Sequence, residues 1–443
     1  MKKLLTFTIA LMAVLIVLSI SVFAQDGNVA KVGDTEYATL QEAIDAAGEG
    51  DTVTLLQDLT FESNYNNAAL GIFNIKSDDV ITIDLNGKTI DVTDNSSGNF
   101  IVFYNYGELT IKNGTVKMTS TIDRFWNAQS TVILNRGGNL VIESGNYIHN
   151  GGTAMAITVD NSANSFGDAY LTVKGGSISS TYTGIRMRMA DPSLNGNPGN
   201  GTATIVMTGG TVHGNSNGIW GQITNASSQD LGTFNIEGGT VSGGNAIRVT
   251  TDSYDNIDVT ITGDAVLDGK VVGESADFAI SGGTFTQEVD SSLFADGFAP
   301  IENGDGTFGV GVTLASAFKF LGYSVRENDK TAIAAGYSVD HSIIATYCQQ
   351  NDIESFDFGC AFGIGGINEK TLGSFAGYTS FSGFDVKIQG IDPSNEKHTT
   401  AQLAMALYVN CGNGYQYVVE IDGAVAIVDA SQVPTVTFAS YVE

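Results

Sequence analysis

Short apolar triplets that recur through the middle of the chain constrain its fold more than any other feature. In each triplet a central residue separates two apolar residues, and a turn-forming segment, usually glycine-rich, follows. There are seven: Leu109-Thr110-Ile111, Leu140-Val141-Ile142, Leu171-Thr172-Val173, Ile205-Val206-Met207, Phe234-Asn235-Ile236, Val259-Thr260-Ile261 and Phe278-Ala279-Ile280. A single coil cannot bury such an apolar edge alone, so the repeats predict stacked coils that share one continuous core.

The turns after the triplets indicate the kind of solenoid. The predicted corner residues are Gly114, Gly145, Gly176, Gly210, Gly239, Asp264 and Gly283, at irregular intervals. The chain has 54 glycines and 5 prolines in 443 residues, which suits many tight corners and few rigid linkers. We therefore expect an all-β fold, a right-handed parallel β-helix over residues 25–312, in which the coils are constant and the loops vary.

The charge of the chain limits its partners. The formal net charge is −28, from 48 Asp plus Glu against 20 Lys plus Arg. A chain this acidic is a poor candidate for binding nucleic acid or anionic lipid as a whole. Dispersed surface carboxylates explain the acidity, and the binding of divalent cations is the alternative explanation.

The first residues predict export. Lys2 and Lys3 precede an apolar stretch that ends in the small-residue pattern Val22-Phe23-Ala24 before Gln25. This order is typical of a secretory signal peptide over residues 1–24, although the stretch is also long enough for a membrane anchor. We expect a secreted or cell-surface protein with no membrane contact after cleavage of the signal.

A helix is predicted directly before the first coils. Thr39 and Glu42 have the spacing of a capping box, and Leu40, Ala43 and Ile44 share one helical face. Such a helix can cover the first coil, which would otherwise present an unpaired edge. Strands are predicted at residues 52–56 and 81–85, with a corner at Asn86-Gly87.

Three segments of this region carry a resemblance to a known family. They are Tyr37-Ala38-Thr39-Leu40-Gln41-Glu42-Ala43-Ile44-Asp45-Ala46-Ala47, Gly50-Asp51-Thr52-Val53-Thr54-Leu55-Leu56 and Ile83-Asp84-Leu85-Asn86-Gly87-Lys88-Thr89-Ile90. The sequence resembles the opening of pectin-lyase-like right-handed β-helix domains of secreted bacterial surface proteins, over residues 30 to about 310. The resemblance implies a fold more than an activity, because the family includes lyases, hydrolases and adhesins.

The repeat ends near Leu314, and residues 313–443 predict a separate α+β or β-sandwich module. A helix is expected over residues 340–350 and strands at 356–364, 384–391, 404–409 and 415–421. The module loosely resembles the C-terminal modules of Gram-positive surface proteins. Its Cys348, Cys360 and Cys411 leave at least one thiol unpaired, and a Cys348–Cys360 bridge or buried free thiols are both open.

Catalytic groupings implied by the family are missing from the sequence. Its lyases combine acidic Ca²⁺ ligands on adjacent strands with an Arg or Lys base, and its hydrolases combine aspartates with Gly-His-Gly and Arg-Ile-Lys motifs. Val212-His213-Gly214 lacks the first glycine, and His213 and His149 are interpreted as corner residues. We expect no catalytic residues and no cofactor, with Ca²⁺ as the alternative.

A second strand in each coil carries the candidate binding residues. Six segments align: Ile101-Val102-Phe103-Tyr104, Val132-Ile133-Leu134-Asn135, Ile157-Thr158-Val159-Asp160, Ile185-Arg186-Met187-Arg188, Ile219-Trp220-Gly221-Gln222 and Ile247-Arg248-Val249-Thr250. First and third positions should face the core, and second and fourth positions should face outward. The predicted outward rows are Val102, Ile133, Thr158, Arg186, Trp220, Arg248 and Tyr104, Asn135, Asp160, Arg188, Gln222, Thr250.

These rows predict a basic and aromatic patch on an acidic chain. Its candidate carbohydrate-binding residues are Arg186, Arg188, Trp220, Gln222, Arg248 and Asp160. Guanidinium groups suit carboxylates or sulfates, and an indole suits a sugar ring. The alternative is structural: the arginines sandwich the indole or pair with the aspartate.

The sequence therefore predicts a non-catalytic β-helix protein that binds an extracellular polysaccharide or a host or cell-surface glycan, or acts in adhesion. The loop over residues 190–201 is expected to wall the groove. The alternative function is a polysaccharide lyase or glycoside hydrolase acting on pectin-like uronates, with an arginine base at the patch.

Overall fold

The computed structural model describes most of the region that carries the repeats. The described residues are 20–22, 27–63, 70–95, 100–121, 130–160, 167–190, 201–224, 232–251, 257–274, 276–313, 318–326, 329–339, 346, 350, 355–363, 367–376, 384–389, 403–410 and 415–423. The predicted signal peptide, apart from residues 20–22, lies outside them. So do the loop over residues 191–200, Cys348, Cys411 and nearly all of the helix expected over residues 340–350.

The solenoid is a parallel β-helix whose coils have three sides. The first side is β2 (Ala30–Val32), β3 (Thr35–Tyr37), β4 (Thr52–Leu55), β7 (Val80–Asp84), β10 (Glu108–Lys112), β13 (Asn139–Ile142), β16 (Ala169–Val173), β19 (Ala203–Met207), β21 (Gly232–Ile236), β23 (Ile257–Ile261) and β25 (Asp277–Ile280). The second side is β5 (Leu59–Ser63), β8 (Thr89–Asp94), β11 (Thr115–Ser120), β14 (Asn146–Asn150), β17 (Ser177–Ser180) and β26 (Thr284–Phe285). The third side is β6 (Leu70–Ile75), β9 (Phe100–Asn105), β12 (Ser130–Asn135), β15 (Met155–Asp160) and β18 (Thr183–Ala190). Three long strands turn from the second side into the third: β20 (Thr211–Thr224), β22 (Thr240–Thr251) and β24 (Val266–Glu274).

The predicted triplets stack in register on the first side. Their first residues form one continuous ladder across β10, β13, β16, β19, β21, β23 and β25: Leu109, Leu140, Leu171, Ile205, Phe234, Val259 and Phe278. From Leu109 to Val259 every member of this ladder is buried. The parallel solenoid predicted from the repeat is therefore confirmed.

The predicted helix α1 (Leu40–Ala46) is present, with its capping box. The Thr39 hydroxyl accepts a hydrogen bond from the Glu42 N–H, and the Glu42 carboxylate accepts one from the Thr39 N–H, both at 3.1 Å. The helix buries Leu40, Ala43 and Ile44. Next to it β2 pairs antiparallel with β3 and β4, and so changes the strand direction at this end of the first side.

The corners bring backbone of successive coils close together. Asn86 and Gly87 both adopt positive φ, 50° and 73°, as expected at the first corner. At Gly114 a Cβ atom would lie 2.3 Å from Leu85 Cβ and 2.5 Å from the Lys88 carbonyl oxygen. Only glycine fits this approach, because real Cβ contacts are not that short.

Buried asparagines join neighbouring coils at the end of the third side. The Asn105 amide donates to Asn135 Oδ1 at 2.7 Å. The Asn135 amide donates to the Gly138 and Tyr170 carbonyls at 2.9 and 2.8 Å. These bonds add side-chain donors to backbone acceptors at the turn into the first side and at the start of β16.

The remaining described elements are β1 (Ile20–Val22), a 3-10 helix (Ser291–Leu293), β27 (Phe298–Glu302), β28 (Phe308–Val312), β29 (Phe318–Arg326), β30 (Asp329–Val339), β31 (Ser355–Gly363), β32 (Ile367–Ala376), β33 (Phe384–Gln389), β34 (Leu403–Asn410) and β35 (Tyr415–Gly423). β1 pairs antiparallel with β5. The chain divides into two compact units, one of residues 1–294 and 300–310 and one of residues 295–299 and 311–443. In the second unit β29, β30 and β33 form one antiparallel sheet, and β32, β31, β34 and β35 form another. These sheets contain the four strands predicted there.

Candidate functional site

The outward rows predicted for the third side are confirmed only in part. From β15 to β22 the predicted register is confirmed: Thr158, Arg186, Trp220 and Arg248 are cross-coil partners. It is wrong by one residue at β12 and by two at β9, because Thr158 pairs with Leu134 and Leu134 pairs with Tyr104. The first outward row is therefore Tyr104, Leu134, Thr158, Arg186, Trp220 and Arg248. The second outward row is Tyr106, Arg136, Asp160, Arg188, Gln222 and Thr250.

The error in the predicted register has a physical reason. β9 and β12 are buried on both faces, so their sequences lack the alternation that distinguishes a core face from an outer face. A usable signal was present in the turns. Both Tyr104-Asn105-Tyr106-Gly107 and Leu134-Asn135-Arg136-Gly137 place Asn two residues before Gly, and aligning the asparagines restores the observed register.

The corrected register adds Arg136, which the sequence analysis missed. Arg136 Nε donates to Asp160 Oδ2 at 3.1 Å, and a second guanidinium nitrogen contacts the same oxygen. Arg136 also donates to the Tyr104 hydroxyl and lies over the Tyr104 ring, 5.5 Å from its centroid. Burial opposes the charge of Arg136, yet the attraction and hydrogen bond of Asp160 raise its pKa.

Asp160 is thus a structural ion-pair partner, although the sequence analysis counted it among the glycan-binding candidates. Its side chain is fully buried between successive coils. A buried carboxylate requires a charged or hydrogen-bonding partner, and Arg136 supplies both. The structure therefore removes Asp160 from the group of residues that can approach a ligand.

Trp220 is held between two arginines. The Arg186 and Arg248 guanidinium carbons lie 5.4 and 5.8 Å from the indole centroid, from the coils on either side. The indole Nε1 donates to Thr250 Oγ1 at 2.9 Å, and Tyr182 contacts the ring edge-on. This is the sandwich that the sequence left as an alternative. The indole faces are occupied, so stacking of a sugar on Trp220 has no support from this geometry.

Arg186 lies beside the accessible part of the site, on the same strand as Arg188. It is 3% exposed, and it donates to Gln222 Oε1 and contacts Met155 Sδ at 3.3 Å. Its buried Nε has no hydrogen-bond partner among the described residues. Burial, and then the positive charge of Arg188, lower the pKa of Arg186 to about 10. A desolvated guanidinium with an unused donor is a group that an oxyanion would stabilise.

Arg188, Gln222 and Arg248 form the accessible part of the site, and we call them the three-coil site. All three are half-buried, on the consecutive strands β18, β20 and β22. Neither arginine forms an ion pair with a carboxylate of the described residues. Gln222 uses its oxygen to accept from Arg186, and its amide nitrogen has no partner in the described part of the chain. The three-coil site thus offers two guanidinium groups and one amide donor.

The two histidines considered at the sequence level are strand residues, and their interpretation as corner residues is wrong. His213 is exposed on β20 and contacts Ser242 Oγ at 2.9 Å and Asn215 Oδ1 at 3.1 Å. His149 is fully buried on β14, and its Nε2 contacts the Ser120 hydroxyl at 3.0 Å. Asp94 accepts from the same serine at 3.3 Å. Asp94 and His149 are fully buried, whereas Ser120 is partly exposed.

Within the described ranges, no cluster of three or more His, Cys, Asp or Glu side chains is placed to hold a metal ion. No helix found among those residues is both long and apolar enough to cross a membrane.

Searches of protein-family models, of curated proteins and of solved structures find no match to this chain. The fold places it in the class of parallel β-solenoid proteins.

Proposed function

We propose that this chain is a secreted or cell-surface β-solenoid protein that binds an acidic extracellular polysaccharide on the third side of its solenoid. Pectin-lyase-like β-helix domains are the family that its N-terminal segments resemble, and the apolar N-terminus is typical of an exported protein. Adhesion to a host or cell-surface glycan is the role that such binding would serve.

One observation carries the proposal. On a chain of net charge −28, Arg188 and Arg248 lie half-buried and without a described ion-pair partner, on the side of the solenoid that also carries the desolvated Arg186. Arginines that merely stabilise a solenoid would be expected to pair with the abundant carboxylates, as Arg136 does with Asp160. Unpaired guanidinium groups on neighbouring strands bind carboxylate or sulfate oxygens in bidentate fashion.

The structure also revises the mechanism expected from the sequence. Trp220 is interpreted as a spacer that holds Arg186 and Arg248 apart, and ligand contact is assigned to Arg188, Gln222 and Arg248. Affinity then comes mainly from charge-assisted hydrogen bonds and less from ring stacking. Such binding should weaken steeply as salt screens the charges.

The test is affinity electrophoresis and calorimetry of the purified chain with polygalacturonate and with neutral dextran. We expect binding to polygalacturonate alone. Replacing both arginines, Arg188→Gln with Arg248→Gln, should weaken it by roughly tenfold or more, because two charge-assisted contacts are lost.

The matched control is Lys31→Gln with Lys174→Gln, which removes two positive charges, one in β2 and one directly after β16, away from the third side. It should leave affinity nearly unchanged. An equal loss of affinity in both variants would show that the effect comes from net charge alone. Absence of binding to any acidic polymer would refute the proposal. Formation of unsaturated uronates during the incubation would instead support the lyase alternative.

A further inference from the structure

The order of side chains along the solenoid axis indicates which acidic polymer fits. Arg188, Gln222 and Arg248 lie on three successive strands of a parallel sheet, with Gln222 opposite Arg188 and Trp220 opposite Arg248. Thr250 lies opposite Gln222, and Arg248 is two residues earlier on β22, so a ligand that reaches both arginines crosses the three strands obliquely and meets a cation, then a neutral donor, then a cation. We propose that the three-coil site recognises a linear polysaccharide that carries one negative charge on every second sugar.

The spacing of the coils supports this inference. Neighbouring parallel strands are about 4.8 Å apart, and two residues along a strand cover about 6.6 Å, so the two arginines are about 9.6 Å apart along the axis and roughly 12 Å apart in all. Half of that distance is close to the length that one pyranose adds to an extended glycan. Successive sugars would therefore face successive coils, and only the first and third would meet a guanidinium group.

Gln222 is the residue that makes the middle position neutral. Its oxygen is occupied by Arg186, which leaves the amide nitrogen as the free group. An amide N–H₂ donates equally well to a hydroxyl, an acetamido oxygen or a ring oxygen, and it carries no charge to balance a carboxylate. Arg186 thereby acts as a positioning residue that orients Gln222.

This inference rests on the proposed function, and its test separates the two. Calorimetry at one salt concentration compares hyaluronate, with a carboxylate on alternate sugars, and polygalacturonate, with one on every sugar. We expect hyaluronate to bind severalfold more tightly per charge. Comparable or tighter binding of polygalacturonate would overturn the inference of a charge on every second sugar and leave the proposed function intact. Failure of both polymers to bind would overturn the inference and the proposed function together.

A single substitution tests the role of the neutral middle position. Gln222→Glu keeps the oxygen that accepts from Arg186, so the fold should be retained, which circular dichroism checks. The added negative charge should weaken polygalacturonate binding by about tenfold and hyaluronate binding by less, because only polygalacturonate places a carboxylate opposite residue 222. An equal loss for the two polymers would contradict the alternating pattern.

Discussion

Arg136 and Asp160 are joined by a contact that spans one coil step and 24 positions of sequence. The pair lies on the second outward row but is not part of the three-coil site. Asp160 is fully buried and Arg136 is mostly so, which makes their mutual attraction stronger than that of ion pairs at the surface. Tyr104 completes the cluster by stacking on Tyr106, with ring centroids 4.6 Å apart.

Breaking this pair should be costly. Asp160→Asn removes the buried negative charge with which Arg136 pairs, and we expect the free energy of unfolding to fall by about 3 kcal/mol. Urea unfolding monitored by circular dichroism measures this loss of stability. Asp91→Asn is the control, because its ion pair with Lys117 is exposed, and it should cost at most about 1 kcal/mol. Similar losses in both variants would show that the buried pair has no special role.

At the scale of elements, the coils are held together by inward ladders and by the asparagines at the end of the third side. The ladder from Leu109 to Phe278 was predictable, because alternation within each triplet is a local property of a strand. The register of β9 against β12 was not predictable from alternation, because apolar residues on both faces remove it, and only the asparagines of the following turns indicated it. The capping box of α1 was predictable because it involves residues only three positions apart.

Asn135 should be required for the register of these coils. Asn135→Ala removes the bonds from its amide to the Gly138 and Tyr170 carbonyls and the bond that its oxygen accepts from Asn105. The Gly138 carbonyl still accepts from the Tyr170 N–H, and the Asn105 amide still donates to the Gly107 carbonyl, so we expect a loss of about 1–3 kcal/mol in urea unfolding. Asn146→Ala removes an exposed amide and should change stability by about 0.5 kcal/mol or less. A small effect of Asn135→Ala would show that backbone pairing alone sets the register.

At the scale of the whole molecule, the division into two compact units predicts an autonomous solenoid. The segment of residues 27–313 contains the first unit from residue 27 onward, with α1 and the complete first side, together with residues 295–299 and 311–313 of the second unit. Expressed alone, it should give a β-type circular dichroism spectrum and a cooperative thermal transition, because its apolar ladders are internal to it. An unfolded or aggregated product would show that the solenoid depends on residues beyond 313.

The sequence by itself determined the stacking of coils, the capped beginning of the solenoid and the row of Thr158, Arg186, Trp220 and Arg248, since each follows from a period of two or from residues a few positions apart. Only the tertiary structure decided that Arg136 pairs with Asp160, that two arginines enclose Trp220, and that Arg186 is buried while Arg188 is accessible. Alternation tells which side of a strand a residue occupies. It does not tell how deeply that side is covered or which cross-coil partner a charge selects, because these depend on register and on contacts between residues far apart in the chain.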